Sequence, residues 1–139
     1  MEAVQIFRGL GFESGQVFNL TPKEAFKLCQ EDAVILDVRE EYLNTFKTFD
    51  VPDILARPMS IMKTNYQDIP DDIPVILADS VGIHSREAFL LLKEKGWHNI
   101  ANLAGGLVEW ERDGLPIRID EFERLTGSCM CQLRRRRRK

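Results

Sequence analysis

Two stretches of almost unbroken apolar character stand out along the chain: Ala33-Val34-Ile35-Leu36-Asp37-Val38 and Ile73-Pro74-Val75-Ile76-Leu77-Ala78. Neither alternates apolar with polar, so neither reads as a strand with one wet face. Both read as strands covered on two faces, the pattern of a parallel sheet flanked by helices. Gln16-Val17-Phe18-Asn19-Leu20 and Asn99-Ile100-Ala101-Asn102-Leu103 are two shorter strands of the same kind, and Leu55 to Met59 is a weaker one. Helical periodicity lies between them. Thr21-Pro22-Lys23-Glu24 is a helix start, with Thr21 as N-cap, Pro22 at the first helical position and Glu24 placed to close a capping box. Ala25, Phe26, Leu28 and Cys29 continue it as an apolar face to about Gln30. Arg86 to Lys95 is amphipathic, with Ala88, Phe89, Leu91 and Leu92 for packing and Gly96 as its C′ residue. Gly105-Gly106 opens a helix from Leu107 to Arg112, closed by Gly114-Leu115-Pro116. The polar and aromatic stretch Glu40 to Asp50 predicts a short helix and a loop, and Ile119 to Leu125 a last short helix. Strands alternating with helices at this spacing predict an α/β fold: an open parallel sheet with helices on both faces.

Length and composition agree with one domain. The chain has 139 residues, 44% hydrophobic and 29% charged, without internal repeats, enough to bury a core without disulfides or metal. The body is assigned to residues 1–125 and a tail to residues 126–139. Charge separates the two further. Six of the 19 Lys and Arg residues form the run Arg134–Lys139, which leaves 13 against 22 Asp and Glu, so a net −3 divides into a body near −9 and a tail of +6. An acidic body argues against specific nucleic-acid binding. The tail is either a solvated basic run, free to dock on its own acidic body, or a source of nonspecific contacts with phosphates or anionic lipid. No apolar run approaches the roughly 20 residues of a membrane-spanning helix. Met1 to Leu10 has no basic cluster ahead of an apolar stretch and no small-residue cleavage site, so the reducing cytoplasm is the expected compartment. Three cysteines, Cys29, Cys129 and Cys131, make no disulfide framework, and Cys29 reads as a small apolar core residue.

Ligands of open α/β sheets bind outside the carboxyl ends of the strands. That rule points to Asp37-Val38-Arg39 and above all to Asp79-Ser80-Val81-Gly82-Ile83-His84-Ser85, which follows the clearest strand and precedes a helix. Backbone N–H groups converge in such a loop and the helix N-terminus adds positive potential, so it forms a natural anion cradle. Gly82 permits a turn that a side chain would hinder, and Ser85 is expected to cap the following helix. An ordinary strand-to-helix connection has the same outline.

Several short segments, taken in order, make the chain resemble a single-domain rhodanese. They are Leu20-Thr21-Pro22-Lys23-Glu24-Ala25, Leu36-Asp37-Val38-Arg39-Glu40 (the family's LDVRE signature), Phe49-Asp50-Val51-Pro52-Asp53 in the place of its GHIPGA stretch, Gly96-Trp97 with Asn99-Ile100, and Leu103-Ala104-Gly105-Gly106-Leu107-Val108-Glu109-Trp110 (its LxGGxxxW ending), followed by Gly114-Leu115-Pro116. The resemblance spans about Val17 to Ile117. It implies the rhodanese-like fold and an active loop of the form C-x-x-G-x-R-S, whose cysteine carries sulfur as a persulfide between donor and acceptor. Here Gly82 and Ser85 are kept, Asp79 stands at the cysteine position and His84 at the arginine position. A carboxylate cannot form a persulfide, and it repels thiosulfate and phosphate. It is instead suited to fill the cradle as a built-in anion. The loss of a fixed arginine charge at His84 weakens anion binding further, and the related phosphatase chemistry is disfavoured for the same lack of cysteine. The resemblance also gives Asp37 and Arg39 the role of bracing the loop through hydrogen bonds.

Cys129-Met130-Cys131 lies beyond this body. Inert residues, a dithiol that carries persulfide or reacts with oxidants, and ligands for a soft metal are three competing readings. Two thiolates are too few for a closed zinc site, so metal binding there would need a second chain or other ligands; no metal and no cofactor is assigned. Asp37, Glu40 and Glu41 make no acid/base pair, and His98 is expected at the surface. Together these features point to a degenerate rhodanese-like domain that binds a protein partner, or a small thiol or anion ligand, through Asp79 to Ser85. The alternative is an atypical sulfurtransferase or persulfide carrier using Cys129 or Cys131. Partner and oligomeric state are left open.

Overall fold

The computed structural model describes residues 7, 9–40 and 47–119. Among the described residues eight strands and four helices follow one another: β1 (Phe12–Ser14), β2 (Val17–Leu20), α1 (Pro22–Cys29), β3 (Val34–Asp37), β4 (Lys47–Phe49), β5 (Ile54–Ala56), α2 (Met59–Met62), β6 (Val75–Ala78), α3 (His84–Glu94), β7 (Ile100–Leu103), α4 (Gly106–Arg112) and β8 (Ile117–Ile119). The main sheet has the order β1-β2-β7-β6-β3-β5. It is parallel from β2 to β5, and β1 joins its edge antiparallel to β2. Every residue of β2, β3, β6 and β7 is buried. Successive side chains of a strand point to opposite faces, so this sheet is covered on both sides, as the unbroken apolar runs predict. The expected sheet and its helices are therefore present.

Local chemistry explains where α1 begins. Thr21 Oγ1 accepts the Glu24 N–H at 3.2 Å, a Glu24 carboxylate oxygen accepts the Thr21 N–H at 3.0 Å, and Pro22 occupies the first turn. This reciprocal pair satisfies two of the four N–H groups a helix start leaves open. Cys29, at the end of α1, is 2% exposed. Burial, with the nearby Asp53 charge adding to it, pushes its thiol up to about 12. A thiol that far above pH 8 is almost wholly protonated and therefore a poor nucleophile. Cys29 is expected to escape a short iodoacetamide pulse at pH 8 in the native protein and to react once the chain is unfolded. Peptide mass spectrometry checks this, and alkylation of Cys29 at the unfolded rate would show that the core opens there.

Several elements depart from the sequence reading. Lys47–Phe49, expected within a helix and loop, is strand β4. It pairs antiparallel with β8, so Ile119 ends a strand instead of beginning a helix; residues 120–125 lie outside the described residues. The weak strand at Leu55 to Met59 divides into β5 and the single turn α2. β1 has no apolar pattern to announce it, because all three of its residues are exposed. It exists through a tight hairpin that pairs Ser14 with Val17. The β4–β8 ribbon is held down by aromatic packing: the Trp110 ring stands edge-on to Phe49 at 5.1 Å and to Phe26 of α1 at 5.9 Å between centroids. The Trp110 indole N–H donates to the Pro116 carbonyl at 2.7 Å. Among the described residues no helix is long and apolar enough to cross a membrane.

Candidate functional site

The buried strand β6 ends at Ala78, and Asp79 begins the loop that leads into α3. Its side chain is turned inward and is 3% exposed. One carboxylate oxygen, Oδ1, accepts the Gly82 N–H, and Oδ2 accepts the His84 N–H at 2.8 Å. Ser85 Oγ lies 3.4 Å from Oδ1. An ionised carboxylate is an acceptor only, and the Gly82 and His84 N–H groups are its two backbone donors. These are the donors that the anion cradle would otherwise turn toward a ligand.

This arrangement corrects the cap expected of Ser85. The residue before α3 is Ile83, and no side chain caps the helix from the N-cap position. Asp79 does that work from five residues upstream by taking the His84 N–H. The helix therefore starts two residues earlier than its amphipathic pattern suggests, and Ser85 belongs to its first turn. Ser85 is fully buried and its single hydroxyl proton is donated to Asn102 Oδ1 on β7, with Asp79 Oδ1 beside the same hydroxyl oxygen. Asn102 Nδ2 donates to Asn19 Oδ1 on β2 at 2.8 Å, and Asn19 Nδ2 donates to the Val17 carbonyl at 3.0 Å. A buried polar chain thus runs from Asp79 through Ser85 and Asn102 to Asn19, across two strands of an otherwise apolar sheet. Asn19 and Asn102 were not among the candidate residues of the sequence. The signal available was their type: an asparagine inside a fully buried strand needs partners for its amide.

Helix α4 closes the loop from behind. Leu107 N–H donates to the Asp79 carbonyl at 2.9 Å and Val108 N–H to the Ser80 carbonyl at 3.0 Å. Gly82, at φ +93°, packs a side-chain-free Cα against the Gly105 backbone. On the open side lies a cavity of about 420 Å³. Val38, Met59, Val81 and Ile83 give it an apolar wall, and Arg39, Glu40, Ser80 and His84 its polar edge. Val81 and Ile83 are 50% and 61% exposed. The His84 side chain is largely in solvent, with Nδ1 3.6 Å from Asp79 Oδ2.

Asp37 and Arg39 sit beside this cavity and hold each other. Arg39 Nη2 meets Asp37 Oδ2 at 2.8 Å and Nε meets Oδ1 at 3.0 Å, with both side chains buried. Arg39 Nη2 also donates to the Lys47 carbonyl of β4 at 2.9 Å. These bonds fix the cavity wall and tie it to the β4–β8 ribbon. The β3 end reaches the loop strand through backbone, with Val38 N–H donating to the Ala78 carbonyl at 2.9 Å. Glu40 is turned to Ser60, whose hydroxyl and N–H it accepts. His98 is exposed. Cys129, Cys131 and the basic run lie outside the described residues, as does Glu41. Among the described residues, no group of three or more His, Cys, Asp or Glu side chains is placed to hold a metal ion.

Comparison with known proteins places this chain in a family. Residues 21–113 match the model of the rhodanese-like domain. A sulfurtransferase from Allochromatium vinosum is 32% identical over 87 residues, covering 63% of this chain and 79% of that protein. The thiosulfate sulfurtransferase GlpE from Actinobacillus succinogenes is 34% identical over 100 residues, covering 70% and 87%. The crystal structure of a rhodanese-related protein from Thermoplasma volcanium superposes with a TM-score of 0.67 at 20% identity, over 73% of this chain and 98% of that one. The family model spans more than half of the chain and includes the loop after β6, so the chain belongs to the family of rhodanese-like domains.

Proposed function

We propose that this protein is a rhodanese-like domain without sulfur-transfer chemistry at its central loop, and that it works as a binding or regulatory module through the rim formed by Asp79 to Ser85. The observation that carries this reading is the occupancy of the cradle by its own side chain. The Asp79 carboxylate takes the Gly82 and His84 N–H groups, so a thiosulfate entering the loop meets a resident negative charge and finds those donors engaged. Sulfur transfer by covalent catalysis needs a thiolate that can hold the sulfane sulfur, and a carboxylate has no atom for it. Arg39 brings little compensating charge, because Asp37 already answers it in a buried pair. What the loop offers outward is the apolar pair Val81 and Ile83, which suits a partner's side chains better than an inorganic anion.

The names of the relatives favour a second reading, a sulfurtransferase or persulfide carrier in which Cys129 or Cys131 supplies the thiolate. Thiosulfate-to-cyanide sulfur transfer separates the two. The native protein is expected to be silent, and the Cys129→Ser/Cys131→Ser variant equally so. Activity in the native protein that disappears in the double variant would move the chemistry to the tail and overturn the binding-module reading.

A further inference from the structure

Resting on that reading, we infer that the cavity beside the Asp79 loop takes a basic side chain of a partner protein, with its aliphatic stem along the apolar wall and its charge at the acidic edge. Apolar exposure is the first support. Val38, Met59, Val81 and Ile83 wall a space of about 420 Å³, and Val81 and Ile83 are 50% and 61% exposed. The apolar surface continues past the rim. Val108, 46% exposed, sits beside the loop, with its N–H on the Ser80 carbonyl at 3.0 Å. Apolar surface that runs on from a cavity to its surroundings suits a polypeptide segment better than a free small molecule.

Charge decides which side chain enters. Arg39 is the only Lys or Arg among the described residues that line the cavity, and Asp37 holds it in a buried pair at 2.8 Å. Lys47, whose carbonyl accepts from Arg39, turns its own ammonium to Glu111 at 2.9 Å. Glu40 and Asp79 meet neutral donors instead: the Ser60 hydroxyl and N–H for Glu40, the Gly82 and His84 N–H groups for Asp79. A neutral donor steadies a carboxylate without cancelling its charge. With histidine counted as neutral, the lining residues and Asp37 therefore carry one positive and three negative side chains, a net −2. An apolar wall with an acidic edge is the complement of lysine or arginine, which lay a methylene stem on apolar surface and keep the charged head in polar surroundings. An acidic side chain meets repulsion there. A loop whose form suits an anion is, with Asp79 at its head, part of a site for a cation.

The test titrates the full ¹⁵N-labelled chain with the peptide acetyl-Ala-Leu-Lys-Leu-Ala-amide and with its versions carrying norleucine or glutamate for the lysine. Norleucine keeps the stem and lacks the ammonium. The lysine peptide is expected to shift the amides of Arg39, Val81, Ile83 and His84 saturably, and to leave those of Asp32 and Gly96, at the opposite end of the parallel strands, unmoved. At low salt it is expected to bind about threefold or more tighter than the norleucine peptide and about tenfold or more tighter than the glutamate peptide, with both gaps shrinking at about 0.5 M salt as charge is screened. Glu40→Gln is expected to narrow the gap between lysine and norleucine, and Ile83→Ser to weaken both peptides alike; amide spectra unchanged away from the cavity show that each variant is folded. Equal binding of the lysine and norleucine peptides, preference for glutamate, shifts confined to other surfaces, or no shift at millimolar peptide would overturn the proposal. So would n-butylammonium chloride binding as tightly as the lysine peptide, which would mark a site for free amines. A preference for norleucine or glutamate at this rim would sink the cation site and leave the binding-module reading standing; that reading falls on the sulfur-transfer assay instead.

Discussion

Replacing Asp79 by cysteine is expected to give a silent protein measurable thiosulfate-to-cyanide sulfur transfer. The substitution removes the resident charge and puts a sulfur where the Gly82 and His84 N–H groups and the start of the eleven-residue helix α3 already converge. Such surroundings favour a thiolate over a thiol. That thiolate would attack the outer sulfur of thiosulfate and expel sulfite, leaving a persulfide. Cyanide would then take the outer sulfur as thiocyanate and return the thiolate. A gain of at least about tenfold over the native background corresponds to roughly 1.4 kcal/mol of barrier. His84, in place of a fixed positive charge, limits the gain, so adding His84→Arg is expected to raise it further. The same variant is expected to unfold more readily, because it loses charge-assisted hydrogen bonds worth about 1.5–3 kcal/mol each in such settings. Intact-mass analysis after thiosulfate treatment checks the chemistry directly. A folded Asp79→Cys protein that forms no persulfide would mean that the loop is no longer shaped for sulfur transfer, and that more than the nucleophile has changed.

The largest loss of stability from one methyl group is expected at Gly106. This residue sits at φ +61°, and a Cβ there would lie 2.5 Å from the carbonyl carbon and oxygen of Ser80 and collide with the Asp79 carbonyl oxygen. These are backbone atoms, and they accept the Leu107 and Val108 N–H groups, so they cannot yield without breaking the contact that closes the loop from behind. A left-handed backbone costs an alanine about 1–2 kcal/mol, and two disturbed hydrogen bonds add about 1 kcal/mol each. Gly106→Ala is therefore expected to lose about 3–4 kcal/mol, measured by denaturant unfolding. Gly114→Ala is the control. Gly114 has a similar φ of +79° but nothing within 4 Å of its would-be Cβ, so only the backbone term of about 1–2 kcal/mol remains. Equal losses at the two glycines would show that α4 is not wedged against the Asp79 loop.

Much of this site was legible in the sequence because its determinants are local. The end of an apolar strand at Ala78, a glycine three residues after Asp79 and a helical pattern soon after already describe an anion-shaped loop. A carboxylate at its head is visible as a residue type. Where Ser85 points was not legible. As a residue near a helix start it reads as a cap, yet the cap is supplied by Asp79, and Ser85 turns toward β7. The Asn102–Asn19 bond spans 83 positions of chain, so no local pattern around either asparagine names its partner.

The sequence by itself determined the strands β2, β3, β6 and β7, the start of α1 at its capping box, and the chemical character of the loop. Each of these depends on a few adjacent residues whose burial or hydrogen bonds are satisfied nearby. Tertiary structure alone decided the β4–β8 ribbon and the pairing of β1. It also decided the seating of α4 behind Asp79 and the cavity bounded by Val38, Met59, Val81 and Ile83. These rest on the order of strands in the sheet, which brings together backbone and side chains distant in sequence. Sterics at Gly106 and polar satisfaction at Asn19, Asn102 and Ser85 act only once those distant surfaces meet.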